Sequence, residues 1–267
     1  MEYNYMKTSL YYFTGTGNSL SIAKGIAAEL EDAELIFMAN LWKDDEITTD
    51  SEKVGFIFPM YYFGLPQIVY EFIEKINLDK VQYIFAGVNR DGTMDGVAFV
   101  QIEKLLLEKG KELSAGWFLQ MPNNDIPVDD LNSEDEMNQK LTEIKPRIKE
   151  IAKFIKESKN NPPPAPQKRT RSIEKTNNSF REGVFKQDEF YYADDNCNSC
   201  GICEKVCPMN NIILVDGKPQ WQHNCQMCVA CINYCPECSI QYSDKTQNRG
   251  RYYHPDISVQ EIINQKK

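Results

Sequence analysis

The stretch TSLYYFTGTGNSLSIAKG, residues 8–25, decides the fold. Its apolar opening predicts a strand over Thr8–Phe13 and its second half predicts a helix from Asn18. Gly15 and Gly17 let the chain curve tightly between the two. Thr14, Thr16, Asn18 and Ser19 set hydroxyls and an amide beside the free N–H groups of a helix start, an arrangement that holds a phosphate. A Walker loop needs Gly-Lys-Ser/Thr, but Asn18 follows Gly17; a dinucleotide fingerprint needs glycine where Leu20 stands. A monophosphate held by neutral donors remains, with an ordinary strand-to-helix turn as the plain alternative.

Outward from this turn the pattern repeats. AELIFM, KVGFIFPM, VQYIFAGV and LSAGWFLQM read as strands. PQIVYEFIEKI, GVAFVQIEKLLLEKG and a long segment from about Asn132 to Lys159 read as helices. Apolar strands alternating with amphipathic helices predict a parallel sheet covered on both faces, and right-handed crossovers make it a doubly wound α/β fold. The alternation stops at NNPPPAPQ, where Pro162–Pro166 form a semi-rigid spacer. The expected division is an α/β domain over residues 1–158, a Pro-rich, basic linker and arm over 159–190, a cysteine module over 191–243 and a tail over 244–267. Residues 178–192 show no period, and the composition of the tail does not decide whether its aromatic cluster packs back.

Composition narrows the class. The net charge is -9, with 42% hydrophobic and 26% charged residues. The first 158 residues are the acidic part, and only the arm, with its stretch QKRTR, is basic. An acidic body argues against nucleic acid, whose proteins need a cationic footprint. The N-terminal segment does not read as a secretion signal and no apolar run spans a bilayer, so no membrane insertion and a cytoplasmic location are expected. In that compartment nine cysteines are metal ligands or redox groups, not disulfides.

Eight of the nine fall in two combs, CNSCGICEKVCP from Cys197 and CQMCVACINYCP from Cys225. Each reads C-x-x-C-x-x-C-x-x-x-C-P: Cys197, Cys200, Cys203, Cys207, then Cys225, Cys228, Cys231, Cys235. Structural zinc takes two separated pairs, whereas cysteines at spacing three wrap an iron–sulfur cubane. Small residues, Gly201 in one comb and Ala230 in the other, leave backbone amides free to approach the cluster. Cys238 is read as a bystander thiol and His223 as a surface histidine. The combs resemble the two-cluster bacterial ferredoxins over about 50 residues. That resemblance implies two [4Fe-4S] clusters and a crossed ligand set: Cys197, Cys200, Cys203 and Cys235 for one, Cys225, Cys228, Cys231 and Cys207 for the other.

The glycine loop in turn resembles the T/S-x-T-G-x-T/S fingerprint of flavodoxins, with Thr14, Thr16, Gly17 and Ser19 in the matching places. The likeness runs over about residues 7–158 and implies FMN and a five-stranded sheet in order 2-1-3-4-5. In that order the crevice opens between the first and third strands. The loop after the third strand, with Pro59, Met60, Tyr61, Tyr62, Phe63 and Gly64, would then offer flat apolar cover to the ring. The loop after the fourth strand, with Asn89, Arg90, Asp91 and Gly92, would close over it. It departs from the family in lacking a second stacking tyrosine, and it carries Arg90, a candidate to face the ring's N1/O2 edge. Asn123 and Asn124 would roof the site or cap a turn. Together the halves are similar to a flavodoxin–ferredoxin fusion family of anaerobes. The expected role is an electron relay between the clusters and FMN, with redox proteins as partners. An FMN-dependent reductase of a small acceptor such as a quinone or nitroaromatic, or a redox sensor, are the alternatives. No acid–base constellation is legible.

Overall fold

The computed structural model describes residues 6–94, 96–165 and 170–266. Five strands, β1 (Thr8–Tyr12), β2 (Ala33–Phe37), β3 (Lys53–Pro59), β4 (Tyr83–Arg90) and β5 (Ala115–Gln120), make one sheet in the order β2-β1-β3-β4-β5. All its pairings are parallel. Leu10 sits between Leu35 and Gly55 in the register. A Cβ on Gly55 would stand 2.3 Å from the Phe85 ring, so glycine is what lets that ring lie across the sheet.

Helices α1 (Asn18–Glu29) and α4 (Glu134–Lys156) pack together on one face, α2 (Gln67–Lys75) and α3 (Ala98–Glu108) on the other. The side chain of Ser133 accepts from the Glu136 N–H and the Glu136 carboxylate reaches back, a capping box that starts α4. Pro146 lies on the solvent face of α4, where the carbonyl deprived of its donor meets water. The buried Lys53 donates to the carbonyls of Ile155 (2.6 Å) and Lys156 (3.0 Å), placing a cation at the helix C-terminus.

Pro166 and the Gln167–Arg169 part of the basic stretch lie outside the described residues. The arm departs from the expectation of no regular structure. Residues Thr170–Gly183 form α5, Val184–Phe190 a 3-10 helix, and β6 (Tyr191–Ala193) pairs antiparallel with β9 (Ile240–Tyr242). Ile173, Asn177, Phe180 and Val184 recur at helical spacing, but the most buried residue of the stripe within α5 is an asparagine, so apolar periodicity does not reveal it.

The cysteine module is built around short elements: α6 (Ile202–Val206), the hairpin β7 (Ile212–Val215) and β8 (Lys218–Trp221), and α7 (Ala230–Asn233). Asp216 and Gly217 turn the hairpin with φ of 48° and 77°. The tail does pack back: Tyr252, Ile257 and Ile262 are buried, and it ends in α8 (Val259–Asn264), capped by Ser258 and Glu261. No helix among the described residues is long and apolar enough to cross a membrane.

Candidate redox site at the module interface

The thiols assemble in crossed sets. Cys197, Cys200, Cys203 and Cys235 line one recess of about 310 Å3, counting space open to solvent, with Gly201, Leu214 and Pro236. Cys207, Cys225, Cys228 and Cys231 line another of about 320 Å3, counted the same way, with Tyr191, Met209 and Trp221. Among the described residues no three His, Cys, Asp or Glu side chains converge on a point for a single ion. The thiols instead surround a volume, which suits a cubane.

The 28-residue repeat is kept in the backbone. Ser199 and Gly201 have φ of 62° and 73°; Met227 and Val229, their counterparts, have 50° and 57°. Val229, the counterpart of Gly201, is thus a β-branched residue held in the left-handed region. The Asn211 and Ser239 N–H groups donate to the sulfurs of Cys207 and Cys235, each at 3.3 Å. Burial pushes the Cys203 thiol up to about 11 and that of Cys228 up to about 12. Positive charge from cluster irons is what would offset that cost.

The glycine loop is buried throughout, and α1 begins behind Gly17 (φ 98°) with no side chain capping its N-terminus. Such an end presents N–H groups to an anion. Gly17 N–H donates to Thr14 Oγ1 (3.1 Å), Ser19 Oγ donates to Asn89 Oδ1 (2.6 Å), and Asn124 Nδ2 donates to Thr16 Oγ1 (2.7 Å). Asn124 therefore ties itself to the loop, while Asn123 caps the following turn by accepting from the Asp125 N–H.

Both other modules cover this loop. A Cβ on Gly15 would lie 1.9 Å from the Cys228 carbonyl oxygen, and one on Gly17 would touch His254 and Ile257. The Thr16 carbonyl accepts from His254 N–H (2.8 Å) and Tyr252 Oη donates to Asn18 Oδ1 (2.8 Å). Gln226, inside the second comb, caps α2 by accepting from the Ile68 N–H.

A cleft of about 1120 Å3, counting space open to solvent, runs from Asn18 between the loops after β3, β4 and β5. Pro59, Met60, Tyr61, Tyr62, Phe63, Asn89, Arg90, Asp91 and Gly92 line it as a group. Of the glycine loop Asn18 alone lines it; Thr14, Gly15, Thr16, Gly17 and Ser19 do not, and Gly64 faces Asn177 and Gln101 instead. Tyr61 and Gly64 exchange both backbone hydrogen bonds, forcing Tyr62 and Phe63 to φ of 43° and 65°, a strained turn for aromatic residues. Asn177 of α5, 0% exposed, holds that turn by donating to the carbonyls of Tyr61 and Leu65, and Phe180 stacks on Tyr62 at 4.2 Å. The Arg90 guanidinium lies over the Phe118 ring at 4.0 Å, and Asp91 is ion-paired with Lys140. The aromatic turn, the amide side chains and the uncapped helix fit a flavin and its phosphate. Met227 and Val229, on either side of Cys228, complete the cleft wall.

Asn177, Phe180, Asp125, Met227, Val229, Tyr252 and His254 join the site without having been singled out. Asn177 and Phe180 share a stripe of α5 that apolar periodicity does not reveal, and the others had no local signal either. His254 is 2% exposed, and burial holds its imidazole down to about 4 against the opposing charge of Asp256. The unfolded histidine, at 6.5, takes up a proton first as pH falls, so the stability contributed by neutral His254 is present above pH 6.5 and is lost towards pH 4. The loss amounts to about 3 kcal/mol. Asp125, pushed up to about 6, works the opposite way in nearly the same window. Denaturant titrations at pH 7 and 4.5 should therefore show a smaller acid loss for His254→Gln than for wild type.

A family model for a flavodoxin domain matches residues 9–123, and one for a 4Fe-4S dicluster domain matches residues 189–236. These two domains imply a flavin and 4Fe-4S clusters, the equipment of electron-transfer proteins, and with them redox partners. The chain is a flavodoxin–ferredoxin fusion. Among solved structures it is similar to an azoreductase from Bacillus anthracis str. Sterne (11% identity, 54% of this chain and 100% of that one, TM-score 0.38). It is also similar to an NAD(P)H:quinone oxidoreductase from Methanothermobacter marburgensis (10%, 55% and 96%, TM-score 0.36). A third is rubredoxin oxygen:oxidoreductase from Desulfovibrio gigas (12%, 64% of this chain but 36% of that one, TM-score 0.34). Likenesses this weak carry no argument beyond the family matches. No curated protein matches the sequence.

Proposed function

We propose that this protein relays electrons between two [4Fe-4S] clusters and FMN, converting single-electron traffic into two-electron traffic. Bound FMN would supply the centre that takes one or two electrons; the clusters would exchange one at a time. The observation that carries the reading is the shared wall: Met227 and Val229, which flank Cys228, line the same cleft as Tyr61, Asn89 and Arg90. The Cys207/225/228/231 set is therefore proximal to the cleft. The other set, with Cys200 exposed, faces outward to meet a donor or acceptor protein. Thr14–Ser19 would hold the phosphate, Tyr61–Phe63 the ring.

Protein purified without oxygen should contain iron, sulfide and FMN, and fast mixing with a one-electron reductant should bleach the clusters before the flavin. Colourless protein, or zinc in place of iron, would end the reading. One observation favours a reductase as the second reading. The cleft mouth is open, with Tyr62, Met94 and Val128 exposed at 38%, 45% and 55%. Steady consumption of a quinone or nitroaromatic would make it the better description.

A further inference from the structure

Uptake of an electron pair by a flavin ring needs a proton, and the cleft holds few groups that could carry one. Among the described residues lining it there is no histidine or cysteine. Its two acids differ. Asp91 is committed to Lys140, whereas among the described residues Asp125 has no ion-pair partner and its buried Oδ1 no hydrogen-bond partner. The backbone around it is fixed: Asp125 N–H donates to Asn123 Oδ1 (3.0 Å), and its carbonyl accepts from Val128 and Asp129 N–H. A rigidly placed carboxyl that lines a cleft while one of its oxygens is shut off from solvent without a partner is costly to keep, and such groups concentrate where a proton is handled.

We propose that Asp125 is the proton carrier of this cleft, its carboxyl giving up the proton that accompanies an electron pair into the ring. The proposal rests on the cleft holding FMN. In balance, two electrons arrive, one from each reduced [4Fe-4S] cluster. The Asp125 O–H bond breaks and an N–H bond forms on the ring, which gains two electrons and one proton. The carboxylate is reprotonated by water at the open mouth. Charge around the group agrees. Burial pushes its carboxyl up to about 6, with Asp129 adding to the rise and Arg249 opposing it. Arg249 is itself engaged by Asp130 and the Ile126 carbonyl. The phenols of Tyr61, Tyr62, Tyr191 and Tyr242 also feel the Asp125 charge, and burial raises all four above their ordinary range, so none competes as an acid near neutrality. Arg90 faces the same space from the β4 loop.

The test compares anaerobic wild-type and Asp125→Asn protein in three measurements: flavin content, the rate and pH dependence of flavin reduction by the clusters, and isotope-edited infrared titration of 13C-aspartate. The expected result is equal flavin content, roughly hundredfold slower two-electron reduction in the variant at pH 7, and loss of a break near pH 6. A carboxyl band titrating near 6 should be present only in wild type. Equal flavin with unchanged rate and pH profile overturns the proposal alone. Wild-type protein that retains no flavin overturns the reading of the cleft and the proposal together. Should Asp125→Asn lose its flavin, the wild-type infrared titration decides: a shift of the band on reduction supports the proposal, and no carboxyl titrating above 5 overturns it.

Discussion

Cys207→Ser and Cys225→Ser are expected to extinguish the same cluster, although the first lies in one comb and the second in the other. Cys207 shares its cavity with Cys225, Cys228 and Cys231, while Cys235 closes the cavity of Cys197, Cys200 and Cys203. Each substitution should lower iron from about eight atoms per chain towards about four. The pair Cys207→Ser and Cys225→Ser should leave identical low-temperature magnetic resonance spectra, distinct from those of Cys235→Ser and Cys200→Ser. Removing the inner cluster should also cut off reduction of the flavin by a protein donor, while a small-molecule reductant still bleaches it. Spectra that group by comb instead of by cavity would refute the crossed arrangement.

Gly15→Ala is the second change with a large expected effect. The added methyl would sit 1.9 Å from the Cys228 carbonyl oxygen and 2.9 Å from its carbon, both backbone atoms of a loop that carries a cluster ligand. Neither side can yield as a flexible side chain would, so the seam between the modules must open. Overpacking of this kind costs roughly 1–3 kcal/mol. The functional loss should be larger than the loss of stability, because electron hopping slows steeply with separation. Flavin reduction by the clusters should slow at least tenfold while iron content stays at the wild-type level. Normal transfer in a fully folded Gly15→Ala protein would show that the contact is not the route.

The sheet was legible because each strand is a continuous apolar run, and continuity survives in one dimension. The cysteine combs were legible because spacing three is a local geometric constraint, whereas their crossing was implied only by the resemblance to two-cluster ferredoxins. The lid over the glycine loop was not, since it is made by Tyr252, His254 and Ile257, whose composition fits exposure as well as burial. Helix α5 escaped because its stripe centres on Asn177, whose partners Tyr61 and Leu65 lie more than a hundred residues away. Asp125 looked like one more loop acid in an acidic domain. Only the fold shows that its Oδ1 is shut away from water. Polar residues buried for the sake of a distant partner leave no periodic trace.

The crossing of the tail over the glycine loop also sets a timetable for biosynthesis. Asn18 and the Tyr252 that hydrogen-bonds it are separated by 234 positions, on the order of 10 to 50 seconds of ribosomal elongation. A nascent first domain can build its sheet early, yet its nucleotide cradle stays uncovered until the iron-binding segment has emerged and folded beside it. Metal insertion would then come before firm retention of the vitamin-derived group, and cells starved of iron should accumulate the polypeptide without its yellow colour.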